Sequence, residues 1–233
     1  VKDFNLREAA DQPLFGIPDI PEHYDLPPKP FRYLQRFTKK EASVFFGRDS
    51  EIRTVYDYVN DSAVAPILLL FGQSGVGKSS LLEAGVHPRL EESKNIVYLR
   101  HNPERHIIEQ LSSALKIKEG QSFNEAWKNC ENDKPLIIVF DQIEEIYIKP
   151  NPDTPDEPAL LTAFLNGVFD DSKNRPQGKM ILSFRKEYLP EITKMLNESE
   201  LPFQNIFIEK LNKKSIIQEN IENSIREYII QKI

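Results

Sequence analysis

The run LLLFGQSGVGKSS, residues 68–80, constrains this chain more than any other stretch. Four apolar residues lead into Gly72-x-x-x-x-Gly77-Lys78-Ser79, and a helix-forming SLLEAG follows. Glycines allow consecutive backbone N–H groups to point inward around an anion, and the N-terminus of the next helix adds a partial positive charge. Strand, turn and helix are therefore the expected local order, and the chemistry of the turn is phosphate binding. The candidate nucleotide-binding residues in it are Gly72, Gln73, Ser74, Gly75, Val76, Gly77, Lys78, Ser79 and Ser80. Lys78 is the residue type that reaches β- and γ-phosphates, and the Ser79 hydroxyl is the expected ligand of Mg2+.

A phosphate loop of this kind needs a sheet to stand on. Five short apolar runs supply one: PILLLF (66–71), IVYL (96–99), LIIVF (136–140), MILSF (180–184) and NIFI (205–208). Near-continuous apolar runs of this length mark strands buried on both faces, as in a parallel sheet covered by helices. SSLLEAGVHPRL, PERHIIEQLSSAL and EPALLTAFLNGVF read as crossover helices, and a further helix is expected from about Ser50 to Val59. Residues 1–30, with prolines at 13, 18, 21, 27, 28 and 30, read as an extended arm whose Phe15, Ile17, Ile20 and Tyr24 lie on a surface. Residues 31–211 are expected to form the nucleotide-binding domain. The stripe at 216, 217, 221, 225, 229 and 230 is expected to begin a helical lid over 212–233. A start without methionine reads as a piece of a longer protein.

Composition narrows the partners. With 233 residues, 39% hydrophobic and 28% charged, the chain is an ordinary globular one. Its net charge of −6 does not favour nucleic acid as a partner. A single cysteine, Cys130, rules out an internal disulfide and suits a reducing cytoplasm. No apolar run reaches the ~18 residues of a membrane span.

Three further stretches carry chemistry. LIIVFDQIEE ends an apolar strand in Asp141, where a second metal-side carboxylate belongs, with Glu144 and Glu145 placed to polarise a water. The residue types leave the choice between those two glutamates open. MILSFRKEYLPEI puts Arg185 at the C-terminal end of another buried strand, where open α/β sheets bind ligands, and a guanidinium there can contact a γ-phosphate. FFGRDSEI, with Phe46, Gly47 and Arg48, can wall a base pocket. His101 and His106 lack companions at metal-ligand spacing, and Trp127 with Phe123 reads as helix packing. No guanine-reading motif is visible.

Taken in order, PFRYLQRFTKKEASVFFGRDSEI, FGQSGVGKSSLLEAGVHPRL, IIVFDQIEE and SFRKEYLPEI resemble the STAND class of P-loop ATPases, in particular its novel STAND group. The resemblance implies a three-layer αβα sandwich on a parallel sheet of order 5-1-4-3-2. It implies an ATP- and ADP-binding, Mg2+-dependent regulatory ATPase that controls its own homo-oligomerisation. In such proteins the ATPase lies between an effector and a sensor, in bacterial signalling or antiphage defence. A remodelling ATPase, a small-molecule kinase or a nucleotide-holding scaffold are the alternatives the residues leave open. The kinase reading lacks an arginine cluster after the acidic strand.

Overall fold

The computed structural model describes residues 14–25, 27, 35–154 and 156–211. The stripe at 216–230 therefore lies outside the described residues. The chain divides into two compact units. One is built from Asp61–Gly75 and Ser93–Ile208, the other from the described residues of Val1–Asn60, Val76–Glu92 and Glu209–Ile233.

The first unit holds the sheet. Its strands are β1 (Ile67–Gly72), β2 (Asn95–Arg100), β3 (Leu136–Asp141), β4 (Lys179–Arg185) and β5 (Phe203–Ile208). All neighbours pair in parallel, in the order β2-β3-β4-β1-β5. That is the expected 5-1-4-3-2 arrangement counted from the other edge. Each expected apolar run became a strand: β1 keeps its six residues but starts and ends one later, and the other four are longer by one or two residues, where polar ends such as Arg100, Asp141 and Arg185 continue the ladder.

Side chains alternate across a sheet. Leu136, Ile138 and Phe140 of β3 therefore enter one core with Ile67 and Leu69 of β1 and with Met180, Leu182 and Phe184 of β4. Helices cover that face. They include α4 (Ile107–Leu115), α5 (Phe123–Cys130), α7 (Glu157–Phe169) and α8 (Leu189–Glu198). A short α6 (Glu145–Ile148) follows β3. Trp127 is fully buried in this core, edge-on to Phe169, and its indole N–H donates to Glu131. Burying each such large side chain contributes about 1.5–3 kcal/mol.

The second unit is helical. α1 (Asp49–Asn60) buries Ile52, Val55, Tyr58 and Val59 at helical spacing. After the phosphate loop, α2 (Lys78–Ser80) runs through a π-helical stretch (Leu81–Val86) into α3 (His87–Leu90). Gly85 lies in the π stretch because nothing larger fits: a Cβ there would come within 2.9 Å of both Ile52 and Phe45. Residues 14–25 lie on this unit. The Tyr24 hydroxyl donates to Glu91, and Arg53 donates to the Phe15 carbonyl.

Two buried polar groups in the sheet unit give direct tests. Glu157, 0% exposed, accepts from the Ile107 and Asn151 backbone N–H groups and pairs with His101 Nε2 at 2.7 Å. Removing the carboxylate strands three buried polar groups, so Glu157→Ala is expected to lose about 3–5 kcal/mol in denaturant unfolding. Lys179 opens β4 with its ammonium donating to the Asp61 carbonyl. Burial, with Lys94 adding to it, pulls its pKa down from 10.5 to about 8 despite the attraction of Asp61. The folded pKa lies below the unfolded one. Between these two values the unfolded chain holds a proton that the folded chain has released, so stability rises with pH across that window. Urea unfolding at the two ends of the window should show this rise in the wild type, and Lys179→Met should flatten it.

Candidate nucleotide site

The loop that leaves β1 is shaped by its glycines. Gly75 has φ +74 and Gly77 φ +96, left-handed values that cost a non-glycine residue about 1–2 kcal/mol. Gly77 caps α2, so Lys78 and Ser79 are the first two helical residues after it. Gln73, Ser74 and Gly75 are exposed, Val76 is buried, and Ser79 is half-buried. Lys78 is 9% exposed.

Within the helical unit, two contacts hold the second half of the loop. Arg48 is 2% exposed, and its Nη2 donates to the Val76 carbonyl at 2.6 Å. Its Nη1 pairs with Glu51. Burial would raise the Glu51 carboxyl, but hydrogen bonds from Arg48 and Ser50 outweigh it and hold Glu51 below the usual carboxylate range. The Ser80 hydroxyl accepts from the Phe37 backbone N–H at 3.0 Å. Of the residues expected at a base pocket, Gly47 takes φ +83, Phe46 is half-buried, and the Arg48 guanidinium is committed to the loop carbonyl.

Within the sheet unit, the strand ends line up. Register pairs Arg100 with Asp141 and Asp141 with Ser183, so one row crosses β2, β3 and β4. Asp141 is 0% exposed. Its Oδ1 accepts from the Ser183 hydroxyl at 2.8 Å, and its Oδ2 accepts from Tyr98 Oη and Arg100 Nη2, both at 2.7 Å. Two residues on, Gly72 is in register with Arg185. Arg185 Nε lies 3.1 Å from Glu144 Oε1, joining two of the expected site residues. Glu144 is 2% exposed, whereas Glu145 opens α6 and is half-buried.

Tyr98, Arg100 and Ser183 were not singled out by the motifs. Period-2 alternation puts Tyr98 and Arg100 on one face of β2, but only the register brings that face, and Ser183 of β4, to Asp141. No group of three or more His, Cys, Asp or Glu able to hold a metal occurs among the described residues. Taken singly, the carboxylate oxygens of Asp141 in the sheet unit and the hydroxyl of Ser79 in the helical unit are oxygen donors of the kind a hard divalent cation takes. Asp141 uses three of its roughly four acceptor positions. No helix among the described residues is long and apolar enough to cross a membrane.

A parallel sheet in this order, with a glycine loop after β1 and a carboxylate closing β3, defines a P-loop NTPase. The sequence profile of the Novel STAND NTPase 1 family matches residues 30–229, and the chain belongs to that family. A search of curated proteins gives no match. Among solved structures, the chain is similar to the Aeropyrum pernix ORC1 protein in complex with DNA, at 14% identity and TM-score 0.51, over 80% of this chain and 51% of that one. It is similar to the Aeropyrum pernix ORC2 protein in its ADP form, at 13% identity and TM-score 0.52, over 78% and 53%. It is also similar to the S. cerevisiae Hsp104-ADP complex, at 16% identity and TM-score 0.53, over 82% and 25%. The chain spans about half the length of the ORC chains and a quarter of Hsp104. These likenesses concern the fold.

The Arg48 contact is testable. Arg48→Met removes the guanidinium from the Val76 carbonyl and leaves Glu51 with Ser50 but without its counter-cation, so stability is expected to fall by about 1–3 kcal/mol in urea unfolding. Unchanged stability with weakened nucleotide binding would instead make Arg48 a residue that reads the base or ribose.

Proposed function

We propose that this chain is the ATP-binding and slowly hydrolysing regulatory module of a STAND signalling protein. In this reading it works in the cytoplasm, and its nucleotide state controls homo-oligomerisation and an attached effector, in bacterial signalling or antiphage defence. The observation that carries the nucleotide reading is the glycine loop at Gly72–Ser79, with left-handed Gly75 and Gly77, in a chain of this family. ORC2 and Hsp104, proteins of the same fold, hold ADP, which supports adenine as the base.

Roles follow from residue chemistry. Backbone N–H groups of residues 72–77 and the α2 N-terminus favour the phosphate oxygens. Lys78 supplies a point charge, worth about 1.5–3 kcal/mol for each hydrogen bond to a charged group. Ser79 and Asp141 are the oxygen donors that would hold Mg2+, which when bound neutralises charge on the phosphates. Glu144 or Glu145 accepts the proton of the attacking water. Arg185, tied to Glu144 at 3.1 Å, links a γ-phosphate contact to that carboxylate. Loss of the γ-phosphate then changes the partners of both residues. Such a link can shift an equilibrium only by its differential affinity for the ATP- and ADP-bound forms.

Lys78→Ala is expected to abolish ATP binding by calorimetry while leaving the thermal melt in place. Unchanged affinity would remove the phosphate-loop reading. Glu144→Gln or Glu145→Gln should retain ATP and slow its cleavage by about 100-fold or more, as loss of a general base does. Wild-type turnover in both variants and in the double variant would remove the water-activating role. Light scattering with ATP and with ADP checks nucleotide-controlled assembly in the full-length protein.

A further inference from the structure

Arg100 and Tyr98 lie outside every motif of the phosphate-loop set, yet both reach the carboxylate on which the metal reading depends. We propose that Arg100 is the resident counter-cation of Asp141 and that divalent metal takes its place there, so that a positioning residue on β2 sets the Mg2+ demand of nucleotide binding. The inference rests on the reading of Asp141 as the metal-side carboxylate.

Several features separate this contact from a permanent salt bridge. The guanidinium meets Asp141 end-on, through Nη2 alone, rather than through the paired bonds of a two-pronged arginine–carboxylate contact. The Arg100 side chain is 34% exposed while that of Asp141 is 1% exposed, so the cation has a way to solvent and the anion has none. Arg100 Nε is buried with no hydrogen-bond partner among the described residues, a cost that a settled buried ion pair avoids. The other two donors to Asp141, Tyr98 Oη and Ser183 Oγ, are neutral and are compatible with any cation at the carboxylate.

The charges decide the direction. Without a divalent ion, Arg100 neutralises a carboxylate that is wholly out of water. With one, the guanidinium on Oδ2 becomes a like charge in hydrogen-bond contact with the same group, and repulsion at that range is strong where water is scarce. The two cations therefore compete, and Arg100 makes the site demand more Mg2+ than the carboxylate alone would. Its exposed side lets it swing away without unfolding β2.

The test uses the whole chain and fluorescent ATP and ADP analogues, titrated over a range of Mg2+ concentrations. Arg100→Met keeps the length of the side chain and removes the charge. It is expected to lower the Mg2+ concentration for half-maximal nucleotide binding by about three- to tenfold, the size of one partly exposed charge pair. Arg100→Lys should restore the wild-type demand, and Tyr98→Phe should move it less than about twofold, since no charge is lost. Asp141→Asn tells the two readings apart. If it abolishes the Mg2+ dependence and Arg100→Met leaves the demand unchanged or raises it, the competition is overturned and the metal role of Asp141 stands. If Asp141→Asn leaves the Mg2+ dependence intact, the metal role falls and the competition falls with it. Arg100→Gln carries the same comparison should the methionine variant fail to fold.

Discussion

A carboxylate taken wholly out of water must be neutralised, and that requirement organises the ligand edge of this sheet. Asp141 closes β3 and is 0% exposed. Left alone it would cost several kcal/mol, so neighbouring strands must end in donors. They do so at one register: Arg100 on β2 and Ser183 on β4 are its cross-strand partners, and Tyr98 reaches the same oxygen as Arg100 from two residues back. The carboxylate thus ties three strand ends together. Because parallel strands present their C-terminal ends on one side, the same row lies where such sheets take ligands.

Among the other buried carboxylates of the sheet unit, Glu157 gives an instructive contrast. Glu157 is satisfied by two backbone N–H groups and by His101, whose side chain is 0% exposed. Every partner of Glu157 is fixed in the fold, which makes it a structural hub joining the start of α4, the 151 loop and the end of β2. Of the three partners of Asp141 only Arg100 is charged, and its side chain is 34% exposed. A buried anion with an exchangeable cation can respond to a change of ligand, whereas one with fixed partners can only hold the fold together.

The parallel sheet was legible in the sequence because its strands are near-continuous apolar runs, a signal that needs no tertiary context. The phosphate loop was legible because only glycine adopts φ +74 and φ +96 cheaply, which leaves a mark in the letters. The partners of Asp141 were not legible, since a tyrosine and an arginine at the end of a strand look like any amphipathic ending until register aligns them with β3. His101 was read as an ordinary histidine, and its Glu157 partner lies 56 positions along the chain, beyond any local pattern. Trp127 behaved as read. The π-helical stretch at Leu81–Val86 had no local signal, because what marks it is the fit of Gly85 against Ile52 and Phe45.

The loop after β1 is ordered by protein before any ligand arrives. Arg48 holds the Val76 carbonyl from a fully sheltered position, and the Phe37 backbone anchors the Ser80 hydroxyl. Gly85 lets the helix that carries Lys78 pack directly on Ile52 and Phe45. The two hydrogen bonds engage a carbonyl and the Ser80 hydroxyl, and neither uses a backbone N–H group of the loop, so in the proposed reading those N–H groups are not drawn away from an anion. Binding energy is then not spent on ordering the loop, which is the advantage of a preorganised site. This explains why a cation as well suited to phosphate as Arg48 is turned toward a carbonyl. A guanidinium bound to the Val76 carbonyl holds the loop backbone, and in the proposed function the charge that meets the ligand is left to Lys78.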